Sequence, residues 1–476
     1  MVFSDLFFLF AFLPLFAVCY LAASLADRLK PGGDSSNAVK NAVLVAFSLV
    51  FYAWGEPMYV FLMLASVFVN YLAGLAVGGR HRKAALAAGL AANIAIIGVF
   101  KYLDFFALSL SALGVPLSPP GIALPIGISF YTFQSISYLV DVYRREAPPQ
   151  RRYRDLLLYI SMFPQLIAGP IVRYDMVAVQ INQRRITVYD FTEGAYRFLI
   201  GLGKKVILAN QFSEIAGGFL DGRLQGLSTA GAWVGIAALT FQIFFDFSGY
   251  SDMAIGLGRC LGFHFGENFR HPYCCRSITE FWRRWHISLG SFFRDYVYIP
   301  MGGNRRHQAA NILVVWFLTG MWHGASWNFI LWGVYFGLIV TLEKHTILRW
   351  AGVIPRAALH AYSLFLVVAG WGIFYFTDFG RMVQFFTAFF GGGAAADITV
   401  QSALLDNFWL WAAALLFSMP VYDTVAAWHR RLFPSDGAAR RTVALAAKSS
   451  ISVAILVLSA ALLVGATNNA FIYTRF

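Results

Sequence analysis

Charged residues are scarce in this sequence: 13% of its 476 residues are Asp, Glu, Lys or Arg, whereas 59% are hydrophobic. Soluble domains carry about 25% charged residues. A chain of this length therefore has too little polar surface to cover a soluble fold, which excludes a soluble enzyme or binding domain. Apolar runs of about 20 residues, each long enough to cross a bilayer as a helix, recur along the chain. The sequence predicts an all-α, polytopic membrane protein.

No lysine or arginine precedes the first apolar run, MVFSDLFFLFAFLPLFAVCYLAAS, and the first basic residue is Arg28. A cleaved signal peptide carries positive charge before its apolar core. We therefore expect this run to be the first transmembrane helix, with its amino terminus outside the cell.

The usual motifs of metal, serine-hydrolase and dinucleotide sites are missing as well. The four cysteines show neither CxxC nor metal-ligand spacing, and no HExxH pattern is present, so we expect no metal site. The segment SGYSDM is not the Gly-x-Ser-x-Gly elbow, and GLGRCLG lacks the Gly-x-Gly-x-x-Gly spacing. The net charge is +13, and the basic residues that produce it lie in short loops between apolar runs. This distribution favours contact with anionic lipid over binding of nucleic acid.

Twelve candidate spans alternate with loops of unequal charge. Basic residues cluster in loops 28–40, 80–83 and 144–154, whereas loops 55–57 and 114–123 carry almost no charge. This alternation follows the positive-inside rule and predicts that the three basic loops are cytoplasmic. The candidate spans are roughly 6–24, 41–55, 57–77, 84–101, 124–142, 155–172, 193–218, 230–255, 311–341, 357–376, 405–427 and 445–467.

Two regions do not fit simple spans. Residues 256–310 contain eight arginines against three acidic residues and are rich in aromatic side chains, which predicts interfacial helices on the cytoplasmic face. Residues 311–341 are about ten residues longer than one span needs, and Gly320 and Gly324 interrupt their middle. We expect a broken or re-entrant element there, within a single membrane domain over residues 1–476.

His323 lies at the centre of the apolar stretch FLTGMWHGASWNF. Ionisable residues inside spans are costly and commonly functional. An apolar site keeps an imidazole neutral, which suits a general base. The alternative is a core histidine bonded to a backbone carbonyl, and the residue alone leaves both interpretations open.

The segment Thr279–Arg306, read as one helix, places Arg283, His286 and Arg294 on a common face. Arginine forks match phosphate oxygens, so this face is a candidate site for a phosphate-bearing donor. An interfacial helix with snorkelling arginines is the alternative. Asp246 and Asp252 lie in a probable span and need partners, for which we expect arginines.

Three longer segments resemble the membrane-bound O-acyltransferase family: FDFSGYSDMAIG, NFRHPYCCRSITEFWRRWHISLGSFFRDYVYIPMGG and TGMWHGASWNFILWG. They occur in the family's order. The amino-terminal MVFSDLFFLFAFLP, together with LPIGISFYTFQSISYLVDVYR and FPQLIAGPIVRY, is similar to the bacterial branch that acts in alginate O-acetylation.

The resemblance implies a fold and a reaction. The fold would be a bundle of about eleven to thirteen helices, with re-entrant and interfacial helices, around a tunnel through the bacterial inner membrane. The family's histidine matches His323 and the second histidine of bacterial members matches His286, so both are catalytic candidates. We count Arg283, Arg294, Asn328 and Asp246 as substrate-binding candidates, with Asn328 as a possible oxyanion donor.

The resemblance also implies substrates and partners. The reaction would move acetyl groups from a cytoplasmic thioester, acetyl-CoA, towards an exopolysaccharide, with no resident cofactor. A separate periplasmic or surface acetyltransferase of hydrolase-like fold would complete the transfer. The alternatives are D-alanyl transfer of the teichoic-acid type, a transporter, and a structural scaffold. A transporter would move solute without covalent transfer, and a scaffold would tolerate loss of His323.

Overall fold

The structure is a computed structural model that describes residues 1–29, 37–167, 169–350, 352–432 and 438–466. These residues form helices and no strand, which confirms the all-α prediction. Among them, seven helices are long and apolar enough to cross a membrane, or eight if the bent pair Ile398–Leu405 and Phe408–Ser418 is one span. Lys30, in the first basic loop, lies outside the described residues.

Among the described residues, ten α-helices come first. They are α1 Leu13–Arg28, α2 Ala38–Gly55, α3 Tyr59–Val77, α4 Arg82–Ile97, α5 Leu103–Ala112, α6 Ile128–Arg144, α7 Tyr153–Ser161, α8 Phe163–Leu166, α9 Tyr174–Asn182 and α10 Val188–Gly203. π-Helical turns at Phe8–Phe12, Gly98–Tyr102 and Lys204–Ala209 extend α1, join α4 to α5 and follow α10.

Thirteen α-helices follow. They are α11 Asn210–Leu220, α12 Thr229–Cys260, α13 Ile278–Arg284, α14 Ile287–Phe293, α15 Gln308–His323, α16 Trp327–His345, α17 Ile347–Trp350, α18 Arg356–Tyr375, α19 Phe379–Thr387, α20 Ile398–Leu405, α21 Phe408–Ser418, α22 Val421–Leu432 and α23 Ala438–Val464. π-Helical turns Arg294–Tyr298 and Ala388–Gly392 follow α14 and α19, and a 3-10 turn covers Pro272–Cys274.

Residue contacts divide the chain into two compact units. The first unit comprises Met1–Phe198 and Tyr250–Gly266, and the second comprises Leu199–Gly249 and the described residues from Glu267 onward. The chain passes from one unit to the other within α10 and within α12. All six candidate site residues lie in the second unit.

A buried arginine holds together four segments of the first unit. Arg184 is 3% exposed. Its guanidinium donates to the Tyr20 hydroxyl at 3.0 Å, to Asn41 Oδ1 at 2.7 Å and to the Leu261 carbonyl at 3.0 Å. A buried cation is tolerated when such oxygens replace its hydration, so this arginine has a structural role.

Glycines and an ion pair fix α10 against the last turns of α12 in the same unit. A Cβ atom at Gly256 would lie 2.5 Å from the Gly194 carbonyl oxygen, so the two backbones touch. Beside them, Arg197 Nη2 lies 2.8 Å from Asp252 Oδ1. The predicted arginine partner of Asp252 is therefore present.

The predicted span over residues 155–172 is wrong. The segment forms α7, of nine residues, and α8, of four residues. A nine-residue helix is about 14 Å long, roughly half the thickness of the hydrocarbon core. Met162 adopts ψ 112°, which ends the first helix, and Pro164 occupies the first turn of the second.

Removing this span makes the predicted topology self-consistent. With it, the basic loop 144–154 and Arg184–Arg185 would face opposite sides of the membrane. Without it, both lie on the side that the positive-inside rule assigns to the cytoplasm. The cytoplasmic side of segment 256–310 stays a prediction.

The long apolar run 311–341 folds into a helical hairpin in the second unit. Helix α15 ends at His323, residues 324–326 leave the helical conformation, and α16 begins at Trp327. A Cβ at Gly333 would lie 2.3 Å from the Trp316 carbonyl oxygen, and one at Gly320 would lie 2.3 Å from that of Phe329. These small residues let two antiparallel helices touch, as in other membrane helix pairs.

Candidate functional site

His323 is the last residue of α15, at the tip of the hairpin. It is 6% exposed. A helix of sixteen residues is about 24 Å long, so the imidazole lies far from the base of the hairpin. Gly324, which follows it, adopts an extended conformation with φ −171°. The helix break that the sequence suggested lies at Gly324, whereas Gly320 lies within α15.

Aromatic rings enclose the imidazole of His323. The ring centroids of Trp322, Trp332 and Phe374 lie 4.8, 4.9 and 5.3 Å from it, each with a nearly perpendicular ring plane. These residues come from α15, α16 and α18. The surroundings of the imidazole are therefore mostly apolar and aromatic.

Gly324 is required by the same packing. A Cβ atom at this position would lie 2.3 Å from the ring of Phe329. That ring in turn lies 4.9 Å from the ring of Phe374. A larger residue at 324 would therefore displace the aromatic wall beside His323.

Asn328, in the first turn of α16, is fully buried. Its Nδ2 donates to the carbonyl of Phe374 at 2.9 Å and to that of Ile373 at 3.4 Å. Its Oδ1 has no hydrogen-bond partner among the described residues. The side chain thus presents an acceptor and ties α16 to the end of α18. This geometry does not supply the oxyanion donor that we expected of Asn328.

The single helix predicted over residues 279–306 is wrong. It breaks between α13 and α14 at His286, which has φ 45° and ψ 54°. Hydrogen bonds to a preceding segment of the chain hold the backbone at this break. Arg270 N donates to Arg284 O at 2.9 Å, and Ile287 N donates to Asn268 O at 3.0 Å. Pairing with segment 268–270 therefore replaces the helical hydrogen bonds. The common face of Arg283, His286 and Arg294 does not form.

The break carries His286 into the protein interior, where it is 2% exposed. Its Nδ1 lies 3.1 Å from Asn268 Oδ1. Burial lowers its pKa from the ordinary value to about 3, so the ring is neutral at physiological pH. The Trp322 ring lies between the two histidines, with centroids 5.6 Å from His286 and 4.8 Å from His323. The structure thus brings both predicted histidines to one aromatic cluster.

The two predicted arginines stay at the surface. Arg283 and Arg294 are both exposed. The Arg294 guanidinium donates to both carboxylate oxygens of Asp295, at 2.6 and 2.9 Å, and this bond raises its pKa. Arg283 lies near Lys344, whose pKa is lowered by burial and by the Arg283 charge. Arg283 and Lys344 form a positively charged surface, which we name the basic edge.

Asp246 is engaged within the protein. Its Oδ1 lies 2.7 Å from Lys205 Nζ, and the two side chains are 1% and 4% exposed. The partner is a lysine, where we expected an arginine. Removing one partner of such a pair would leave a buried, uncompensated charge. The pair gives Asp246 a structural role, and its contact with substrate stays a prediction.

The sequence analysis did not identify two functional candidates, Trp332 and Asn268. The indole Nε1 of Trp332 is buried with no hydrogen-bond partner among the described residues, beside the His323 ring. Asn268 bonds His286 across 18 positions of sequence. Trp332 lies inside the segment TGMWHGASWNFILWG, and the resemblance of that segment to the family could have identified it. No sequence pattern pairs Asn268 with His286, because the contact is made by the fold.

Comparison with known proteins identifies a family that this chain matches. Residues 152–391 match the sequence model of the membrane-bound O-acyltransferase family. That range contains every site residue described above.

Individual relatives cover most of the chain. It is 41% identical to a probable alginate O-acetylase of Azotobacter vinelandii, over 91% of this chain and 86% of the relative. It is 40% identical to a probable alginate O-acetylase of Pseudomonas putida, over 83% and 81%. A peptidoglycan O-acetyltransferase of Helicobacter pylori is 32% identical over 79% and 77%.

Proposed function

This multi-pass membrane protein belongs to the membrane-bound O-acyltransferase family, and from that premise we propose that it transfers acetyl groups from a cytoplasmic thioester towards an exopolysaccharide outside the membrane. Its O-acyltransferase class follows from the family. The acetyl donor, the direction of transfer and the role of each histidine are the parts that we propose.

The observation that carries the proposal is the position of His323. The imidazole lies at the tip of a buried hairpin, enclosed by Trp322, Trp332 and Phe374. A neutral base is costly to place so deep in apolar surroundings. A wall of rings that excludes water also protects a thioester from hydrolysis.

The proposed reaction is a direct acyl transfer. One ring nitrogen of His323 takes the proton of an acceptor hydroxyl while that oxygen attacks the thioester carbonyl. The carbon–sulfur bond then breaks, and the departing sulfur takes the proton back from the imidazolium. The products are an acetyl ester and a free thiol, so atoms and charges balance without a metal or a resident cofactor.

The developing negative charge on the carbonyl oxygen needs a hydrogen-bond donor. We assign this role to the indole N–H of Trp332 in place of Asn328. The indole is fully buried beside His323, and among the described residues its nitrogen has no acceptor. This N–H could therefore donate to the carbonyl oxygen as that oxygen becomes negatively charged during the reaction.

Donor recognition is proposed on the side of the basic edge. Arg283 and Lys344 present positive charge, and arginine and lysine both bind phosphate groups. The predicted topology places this surface in the cytoplasm, where acetyl-CoA is available. Arg294 is engaged with Asp295 and would need to exchange partners to bind a donor.

The acceptor and the partner protein are inferred from the relatives. The two alginate O-acetylases cover more than four-fifths of this chain, so we propose an alginate-like exopolysaccharide as the final acceptor. A charged polymer cannot enter the hydrocarbon core, so a periplasmic or surface acetyltransferase of hydrolase-like fold would take the acetyl group. We propose the bacterial inner membrane as its location, in contact with lipid.

The test is acetyl transfer in proteoliposomes with radiolabelled acetyl-CoA inside and a hydroxyl acceptor outside. We expect wild type to form labelled ester, and His323→Ala to lower the rate by about 10²-fold or more, because a general base contributes that much. The matched control is His345→Ala, since His345 is exposed at the end of α16. It should transfer at the wild-type rate.

Three outcomes would contradict the proposal. Full transfer by a correctly inserted His323→Ala protein removes the general-base role. Labelling from D-alanyl thioester but not from acetyl thioester would favour the D-alanyl alternative. Release of intact labelled solute without ester formation would indicate a transporter.

A further inference from the structure

Asn268 contacts the His286 ring through a crowded amide oxygen. The residue is 1% exposed. Its Oδ1 accepts from the Ser288 backbone N–H at 3.3 Å and from the Ser288 hydroxyl at 2.9 Å, and it lies 3.1 Å from His286 Nδ1. Three groups therefore converge on one oxygen.

These contacts determine which amide atom faces the histidine. A backbone N–H can only donate, so the Asn268 atom that it meets must be the oxygen. An amide oxygen can only accept, so His286 Nδ1 must carry the hydrogen of their bond. Ser288 Oγ, 3.4 Å from Nδ1, gives its one hydrogen to Asn268 at the shorter distance and does not change this assignment.

The opposite nitrogen of the ring is then a free acceptor. In a neutral imidazole with hydrogen on Nδ1, Nε2 holds the lone pair. His286 Nε2 is buried and has no hydrogen-bond partner among the described residues. The ring itself is fixed by Phe247, whose centroid lies 4.6 Å away at 89°, and by Trp322 at 5.6 Å.

We propose that Asn268 is a positioning residue that fixes His286 in the tautomer with hydrogen on Nδ1 and so presents Nε2 as a proton acceptor to a bound substrate. This inference rests on the proposed acetyl transfer. It makes His286 a second neutral base on the far side of Trp322 from His323.

The backbone supports the same arrangement. His286 occupies the left-handed region, with φ 45° and ψ 54°, which is unfavourable for a residue other than glycine. The Asn268 carbonyl accepts from Ile287 N at 3.0 Å, so one residue holds both the strained turn and the ring. Burial alone lowers the pKa of His286, and no charged side chain contributes to that shift among the described residues.

The first measurement is the tautomer, read by nitrogen NMR of full-length protein with ¹⁵N-labelled histidine in nanodiscs. The His286 signals are assigned as those missing from His286→Gln. We expect a protonated Nδ1 and an unprotonated Nε2 in wild type. Ser288→Ala should keep this pattern, because it leaves the Asn268–His286 bond in place.

The second measurement separates positioning from a purely structural role. Asn268→Ala should mix the two tautomers and lower kcat for acetyl transfer by roughly tenfold or more, with a smaller change in KM. Asn268→Asp keeps an acceptor for Nδ1–H, so the tautomer should persist. Its carboxylate raises the imidazole pKa, so the acidic limb of the pH–rate profile should move to higher pH.

A hydrogen on Nε2 in wild type overturns the proposal, as does an Asn268→Ala protein with the wild-type tautomer and kcat. If Asn268→Ala does not fold, the nearly isosteric Asn268→Asp provides the test. Loss of the hydrogen on His286 Nδ1 in that variant, or an acidic limb of its pH–rate profile at the wild-type position, would also contradict the proposal. Failure of the proposed function is distinct, because wild type would then transfer no acetyl group while the NMR result stands.

Discussion

At the scale of single residues, this protein buries two imidazoles among aromatic rings. His323 is 6% exposed and His286 2% exposed, with Trp322 packed between them. Burial among these rings lowers the pKa of His286 to about 3, which keeps its imidazole neutral at physiological pH. The buried indole N–H of Trp332 lies beside the His323 ring, which makes it a candidate for transition-state contact.

Trp332→Phe tests that indole nitrogen. The change keeps a ring in the wall and removes only the N–H, so packing should be nearly preserved. We expect kcat for acetyl transfer to fall by about 10²-fold, as when one oxyanion donor is removed, with little change in KM. The control is Trp409→Phe, because Trp409 is 81% exposed. An unchanged kcat in Trp332→Phe would show that the indole N–H does not act.

The buried His286 also predicts a loss of stability in acid. Its pKa is lowered to about 3 by burial, whereas a histidine in the unfolded chain titrates near 6.5. Between these values the unfolded state binds a proton that the folded state does not, so the free energy of unfolding decreases as pH falls. From about pH 7 to about pH 5, the melting temperature of wild type should fall more than that of His286→Gln.

The exposed His345 provides the comparison for this experiment. His345→Gln should show the same acid loss as wild type, because His345 is exposed and its replacement leaves His286 buried. Equal pH slopes for wild type and His286→Gln would mean that His286 is not buried in the neutral form.

At the scale of elements, a glycine contact positions the hairpin tip that carries His323. Helices α15 and α16 touch at Gly320 and Gly333, and His323 ends the first of them three residues beyond Gly320. Interhelical spacing therefore sets where the imidazole lies against Trp332 and Phe374. Proximity effects make catalysis sensitive to displacements of about 1 Å.

Gly333→Val should separate the hairpin. Its Cβ would lie 2.3 Å from the backbone oxygen of Trp316, which cannot rotate away as a flexible side chain could. We expect a destabilisation of roughly 1–3 kcal/mol and a large loss of acetyl transfer. Thermal unfolding in detergent and the transfer assay measure the two effects.

Gly218→Ala is the matched control for the glycine change. Gly218 also lies in a helix, α11, but a Cβ there meets nothing within 4 Å. The variant should be neutral or more stable by about 0.5–1 kcal/mol, because alanine loses less entropy than glycine in a helix. A Gly333→Val protein as stable and active as Gly218→Ala would refute the proposed role of helix contact.

At the scale of the whole molecule, the charge pattern predicts the topology once 153–166 is recognised as two short helices. The basic residues of loop 144–154 and Arg184–Arg185 then share the cytoplasmic side. The same pattern predicts that loop 114–123 faces outward.

Thiol labelling tests this topology. In a background without native cysteines, single cysteines replace Leu117, Arg152 and Val188, all of them exposed. An impermeant reagent applied to intact cells should label position 117 alone, and positions 152 and 188 should react only in inverted vesicles. Labelling of 188 from outside would mean that the segment between 152 and 188 crosses the membrane.

The sequence by itself determined the class of molecule and indicated His323 as its candidate catalytic residue. Apolar runs too long and too frequent for a soluble fold require helices, since a bilayer offers the backbone no other hydrogen-bond partner. A lone histidine in such a run identified His323, and glycines beside it indicated a break. These features are local, so composition and spacing are enough to read them.

Tertiary structure decided which polar groups meet. Helical periodicity placed Arg283, His286 and Arg294 on one face, but backbone pairing with segment 268–270 broke the helix and buried only the histidine. Likewise, Asn328 turned its amide donors to the end of α18, and Asp246 met Lys205. Such contacts join residues far apart in the chain, and their free energy exceeds local helix propensity, so no local pattern could reveal them.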